Sequence, residues 1–270
     1  GDDAPGVGEL FHNVLQEFYR PWLGRSVKRS DLSPEALAAL FRKRLEESGL
    51  AQSLPPESAV LLDVAGPERL ERFLSHQPEE TRILSLESQL VSAIDLPGKR
   101  LTLRGRLDRV DQREGQTIIL DYKTGKVPDI PPSFWESSLH ERIREALETP
   151  GSLREAAEEH DLLSDLAEEL PSIQLPAYLY LLRKNSGQGD NAAYVELALN
   201  GEEKPLFTEK DPQELQSLAV EELMPNLVRV TAKALMERQV FMPREGAHCG
   251  FCPAAGFCLG TRKLQSSLIV

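Results

Sequence analysis

Two aspartates and a lysine set the chemical question in this chain. Asp108 lies in the run Gly105-Arg-Leu-Asp-Arg-Val-Asp, and Asp121 and Lys123 lie in Ile118-Ile-Leu-Asp-Tyr-Lys-Thr-Gly. Both runs read as strands, whose side chains alternate with a period of two, so Asp121 and Lys123 share a face and Tyr122 takes the other. Two carboxylates can hold a hard divalent cation, and a lysine beside it can orient or deprotonate a water. That set of groups suits metal-assisted hydrolysis of a phosphodiester. An Asp-x-Lys pair alone is more often a solvated edge or a cross-strand ion pair. Here the continuous apolar run Ile118, Ile119, Leu120 marks a buried central strand, and charges at its end need a partner or a ligand. Gly105, inside the neighbouring strand, is a place where another backbone or a ligand comes close.

The elements that must position these groups follow from periodicity. Residues 8–19 form an amphipathic helix, with Phe11, Val14, Leu15 and Phe18 on one face. A second helix spans 34–48, opened by Ser33 as N-cap and Pro34 at its first position. A third is expected over 67–77. Then 82–94, 101–112 and 116–123 read as strands joined by turns at Pro97-Gly98 and Glu114-Gly115, an antiparallel meander. An acidic helical insertion spans 128–171, followed by a helix over 172–184, strands at 191–199 and 204–208, and a long helix over 212–239. The order implies an α/β fold, a mixed central sheet flanked by helices.

Composition narrows the classes. The chain has 270 residues, enough for a single domain with a sizeable core. Its net charge of −12 argues against a general nucleic-acid binder, but the charge is uneven. Between Lys99 and Arg113 stand six basic residues against Asp108 and Asp111; between Glu136 and Glu169 stand eleven acidic ones against Arg142, Arg144 and Arg154. The acidic stretch reads as a pair of solvated helix faces, and the strand pair around Asp108 as a local basic patch. No apolar run approaches a membrane span, no signal peptide is evident, and a cytoplasmic location is expected. The chain opens on Gly-Asp-Asp, as a piece of a longer polypeptide would. Its three cysteines, Cys249, Cys252 and Cys258, cluster within residues 240–262, which suits metal binding better than a disulfide framework.

Four elements in order resemble the RecB-type branch of the PD-(D/E)xK nuclease superfamily, in particular the nuclease domains of RecB and AddB and the CRISPR-associated exonucleases. Gly8-Glu-Leu-Phe-His12 is similar to the branch's Gly-x-x-x-His helix. Gly105-Arg-Leu-Asp108-Arg is similar to its first aspartate strand, and Asp121-Tyr-Lys123-Thr-Gly to its Asp/Glu-x-Lys strand. Gln174-Leu-Pro-Ala-Tyr178 is similar to its Gln-x-x-x-Tyr helix. The resemblance implies a restriction-endonuclease-like core. It implies His12, Asp108, Asp121 and the backbone carbonyl of Tyr122 as ligands of Mg²⁺ or Mn²⁺, with His12 a neutral imidazole. It further implies Lys123 acting on the attacking water, Gln174 positioning water or phosphate, and Tyr178 at the DNA backbone.

In the iron–sulfur members of that branch, three cysteines spaced as Cys249, Cys252 and Cys258 join one upstream of the histidine helix to hold a [4Fe-4S] cluster. No cysteine precedes His12 here, so the fourth ligand is expected upstream of Gly1. Zinc competes for the same three thiolates. Glu87 is balanced between a place near the site and solvent. Arg104, Arg106 and Arg109 either reach phosphates or pair with the acidic insertion. The expectation is a DNA exonuclease domain acting on single strands or duplex ends beside a helicase domain or subunit. The alternatives are a silent DNA-end-binding module and a zinc-stapled interaction module.

Overall fold

The computed structural model describes residues 6–128, 139–153, 161–170, 172–208 and 210–238. The chain divides into two compact units, one of Gly1–Ser137 and Glu168–Pro225, the other of Ser138–Ala167 and Asn226–Val270.

The first unit is built on a six-stranded mixed sheet in the order β1 (Ser26–Lys28), β2 (Glu80–Leu96), β3 (Lys99–Arg113), β4 (Gln116–Lys123), β5 (Asn191–Glu196) and β6 (Glu203–Pro205). All neighbours are antiparallel except β4 and β5, which run parallel with Asp121 opposite Tyr194. The expected meander is therefore β2-β3-β4, and the fold class is the expected one.

Helices cover both faces. On one side α1 (Val7–Tyr19), α2 (Pro34–Glu47), the short α3 (Leu50–Ser53) and α4 (Pro56–Ser75) pack on a core that includes Leu120, Tyr122, Ala193 and Val195. On α1 the buried positions Val7, Leu10, Phe11, Val14 and Leu15 follow helical spacing and make one apolar stripe. The rings of Phe11 and Phe41 lie 5.1 Å apart, and Phe73 meets Tyr122 edge-on at 5.7 Å. Each such buried aromatic or aliphatic side chain contributes about 1.5–3 kcal/mol. The other face of β4, the one bearing Asp121, carries α7 (Gln174–Ser186), whose Leu181 and Tyr178 stand 2.7 and 3.0 Å from where a Cβ on Gly105 would be. The close approach expected at Gly105 is thus that of a helix.

Ser33 caps α2 as its sequence suggested, accepting from the Ala36 N–H at 3.1 Å, with Pro34 in the first turn. The third helix departs from expectation. It starts at Pro56 and carries Pro67 in its interior. A proline mid-helix removes one backbone hydrogen bond. Packing of α4 on α2 makes up for it: a Cβ on Gly66 would lie 2.2 Å from the Phe41 ring, so glycine is what lets the helices approach. Strand β1 was not foreseen. The strand expected at 204–208 is Glu203–Pro205, and the one at 191–199 ends at Glu196. The long helix at 212–239 is α8 (Gln213–Ser217), a wide π turn over Leu218–Leu223, and α9 (Met224–Glu237).

On the α1 side of β3 lies a buried ion cluster. Arg109 is fully buried and forks onto Asp111 with two bonds of 2.7 Å, donates to Gln77 at 3.0 Å, and stacks 4.0 Å over the Tyr19 ring. Arg113 bridges Asp111, at 2.8 Å, and Glu203, at 2.7 and 2.9 Å. Arg109 therefore belongs to the interior and does not reach out to phosphates, because each of its three guanidinium nitrogens bonds to Asp111 or Gln77.

In the second unit, the insertion supplies α5 (Leu139–Glu148) and α6 (Leu162–Glu169), of which Leu162–Ala167 belongs to this unit. Leu139, Ile143, Leu162 and Leu166 are buried, and Arg142 pairs with Asp165 at 2.6 Å. Cys249, Cys252 and Cys258 lie outside the described residues. Among the described residues no helix is long and apolar enough to cross a membrane.

Candidate active site

The end of β4 organises the site. Tyr122 turns its ring into the core, and its backbone serves two neighbours: its N–H donates to Asp108 Oδ2 at 2.8 Å, and its carbonyl lies 3.1 Å from His12 Nε2. Asp108 arrives from β3 and is buried, with Oδ1 3.2 Å from His12 Nδ1. Both imidazole nitrogens thus face oxygens, an arrangement that favours a hydrogen on each. Burial alone would lower the His12 pKa, but the carboxylates of Asp108 and Glu87 outweigh it and hold it up at about 10. The neutral imidazole expected of a ligand is reached only by losing a proton.

Asp121 and Lys123 share a face, as the strand period required. Lys123 Nζ stands 2.6 Å from Asp121 Oδ2 and donates to Gln174 Oε1 at 2.8 Å. The Gln174 amide in turn donates to Asp121 Oδ1 and to the Tyr178 hydroxyl, both at 2.9 Å. Gln174 and Tyr178 are one turn apart on α7, so a single helix face presents both. Asp121 Oδ2 is buried, and its near partner is the Lys123 ammonium, an ion pair rather than a well-aligned hydrogen bond. Burial pushes the Asp121 carboxyl up to about 6, and the neighbouring Asp108 charge adds to that rise.

Glu87 belongs to this constellation. It sits on β2 between the pairs Leu86–Arg109 and Ser88–Leu107, hence opposite Asp108, with a φ of 52° that a side chain rarely adopts in a strand. Its carboxylate is nearly buried, 3.9 Å from His12 Nδ1 and 2.5 Å from Arg106 Nε. His12, Glu87 and Asp108 each place a possible ligand atom within 4.8 Å of the others. Asp121 stands outside that trio, held by Lys123 and Gln174. An imidazole and buried carboxylates make a donor set that fits a divalent ion accepting mixed nitrogen and oxygen ligands.

One residue escaped the sequence reading. Tyr194, opposite Asp121 on β5, places its ring 5.2 Å from Lys123 Nζ and its hydroxyl 3.0 Å from the Ser172 hydroxyl. The missing signal was the parallel register of β4 and β5, which no local pattern encodes. Arg104 and Arg106 are exposed on β3. Seven of the expected site residues, His12, Asp108, Asp121, Tyr122, Lys123, Gln174 and Tyr178, are gathered here.

Residues 2–146 and 151–259 match the family model of the PD-(D/E)XK nuclease superfamily. Among solved structures, the crystal structure of SSO0001 aligns over 94% of this chain and 85% of that chain, at 15% identity and a TM-score of 0.33. Comparison with curated proteins finds no significant match.

Proposed function

Because the chain belongs to the PD-(D/E)XK nuclease superfamily, we propose that it is a divalent-metal-dependent deoxyribonuclease, an exonuclease domain working beside a helicase in DNA repair or recombination. The observation that carries the reading is the gathering of the buried Asp108 and Asp121 with His12, Glu87 and Lys123 at the end of β4. Carboxylates crowded together in the interior raise one another's cost of ionisation, and a divalent cation relieves it.

His12, Asp108, Asp121 and the Tyr122 carbonyl would hold the ion, with Glu87 beside them. Bound there, Mg²⁺ or Mn²⁺ would neutralise a phosphodiester and lower the pKa of an attacking water. The imidazole favours Mn²⁺ in vitro. Lys123, steadied by Gln174 and by the Tyr194 ring, presents an ammonium group to the water or to the charge that develops on phosphorus. Tyr178, bonded to Gln174, offers its hydroxyl at the same edge for a backbone phosphate. The [4Fe-4S] reading of Cys249, Cys252 and Cys258 rests on their resemblance to the iron–sulfur members of the RecB-type branch, and iron, sulfide and zinc analysis of an upstream-extended chain tests it.

The decisive assay is hydrolysis of end-labelled single- and double-stranded DNA with Mn²⁺, with Mg²⁺ and with EDTA, beside Lys123→Ala. Cleavage that needs metal and drops about 10³-fold in the variant is expected. Cleavage in EDTA, or retained by the variant, would sink the proposal.

A further inference from the structure

Arg106 and Glu87 form an asymmetric pair. The arginine side chain is 57% exposed, whereas the carboxylate it reaches is 8% exposed. Elsewhere on the same ribbon Arg100 and Asp95 pair with both ends in solvent, at 72% and 75%. A pair of that second kind contributes little and informs little. The first kind differs because Glu87 has been turned inward at a conformational cost: its φ of 52° in mid-strand is a strained backbone conformation for a residue with a side chain. That strain delivers a carboxylate to His12 and Asp108, and Arg106 closes it from the solvent side.

Two cationic side chains reach the carboxylates of this site, and they are held differently. Lys123 is fixed between Asp121 and Gln174, while the Arg106 guanidinium reaches Glu87 from the surface. A divalent cation that takes the Glu87 carboxylate as a ligand has to displace Arg106 from it, and a phosphodiester offers the freed guanidinium another anion.

We propose that Arg106 is an exchangeable latch, closing Glu87 against metal until the metal displaces it and then pairing with a phosphate of the bound nucleic acid. Arg106 acts through Glu87 on the metal and is in that respect a positioning residue; its second partner rests on the nuclease reading above. Its exposed place on β3, two positions from Asp108, lets the same side chain swing from one anion to the other without moving the backbone.

The latch makes opposite predictions for two affinities. Calorimetric titration of the whole chain with Mn²⁺ alone should show Arg106→Ala binding about 3- to 10-fold tighter than wild type, since the competitor for Glu87 is gone. Anisotropy of a labelled oligonucleotide with Ca²⁺ should show the same variant binding several-fold weaker, and Arg106→Lys should recover part of that loss. Unchanged or weaker Mn²⁺ binding would overturn the latch, as would unchanged DNA affinity. A wild-type chain that takes up Mn²⁺ but neither binds nor cuts DNA would overturn the nuclease reading, while the first titration still reports on the hold of Arg106 over Glu87.

Discussion

Asp108-Arg109-Val110-Asp111 places two ion clusters on one strand, and they could hardly be less alike. Arg109 and Asp111 face the helical core, where every charge has its counterpart and most donors have acceptors. Asp108, one residue away, belongs to a group in which crowded carboxylates raise the pKa of the imidazole and, with burial, that of Asp121. The first arrangement closes on itself and makes a stable wall. The second is completed only by something else. Charged residues in a strand are therefore informative less by their type than by whether their partners exhaust them.

The largest effects should separate the two clusters outright. Asp111→Ala leaves Arg109 buried without its counter-ion and should cost about 3–5 kcal/mol of stability. Asp108→Asn keeps an acceptor for the Tyr122 N–H, so denaturant melts should stay within roughly 1 kcal/mol of wild type. Cleavage should nonetheless disappear in Asp108→Asn. A protein that tolerates Asp111→Ala but unfolds with Asp108→Asn would erase the distinction.

A smaller effect tests how the wall positions the site. Alanine at Gly105 would press on Leu181 and Tyr178 of α7. Overpacking of that kind typically costs about 1–3 kcal/mol, and α7 would move with Gln174 and Tyr178. Cleavage should fall about tenfold in Gly105→Ala while Mn²⁺ affinity holds, because His12, Glu87 and Asp108 are not on that helix. Loss of metal affinity in the variant would mean that α7 and the ligand strands are not separable.

Much of this was legible in the sequence, and the reasons are physical. Periodicity exposed α1 and the meander, and the two-residue strand repeat set Asp121 and Lys123 on one face with Tyr122 turned away. Gln174 and Tyr178 were readable as one helix face. Arg109 was misread because a basic run looks the same whether its guanidinium meets phosphate or Asp111; only the alternation of β3 and the approach of Gln77 and Tyr19 decide it. Glu87 stayed undecided because a left-handed residue in mid-strand leaves no compositional trace. Pro67 looked like a helix start because packing at Gly66 and Phe41, which overrides its cost, is not local.

The effect that is smallest per step is a slope, and it bears on the open cluster alone. With the His12 pKa held up at about 10 and that of Asp121 at about 6, a chain at pH 7–8 carries a protonated imidazole and an ionised Asp121. Metal uptake must then expel one proton, from His12. Apparent Mn²⁺ affinity should therefore rise about tenfold, or about 1.4 kcal/mol, for each pH unit between 6 and 9. Below pH 6 Asp121 also has to lose a proton, and the slope should steepen towards two. In His12→Asn the slope above pH 6 should vanish, since the only group titrating with the metal there has been removed. Calorimetry in two buffers of different ionisation enthalpy would count the same proton directly at pH 7.5. A wild-type affinity that is flat from pH 6 to 9 would mean that His12 is already neutral, and that its two acceptors, Asp108 and the Tyr122 carbonyl, do not hold it as their geometry requires.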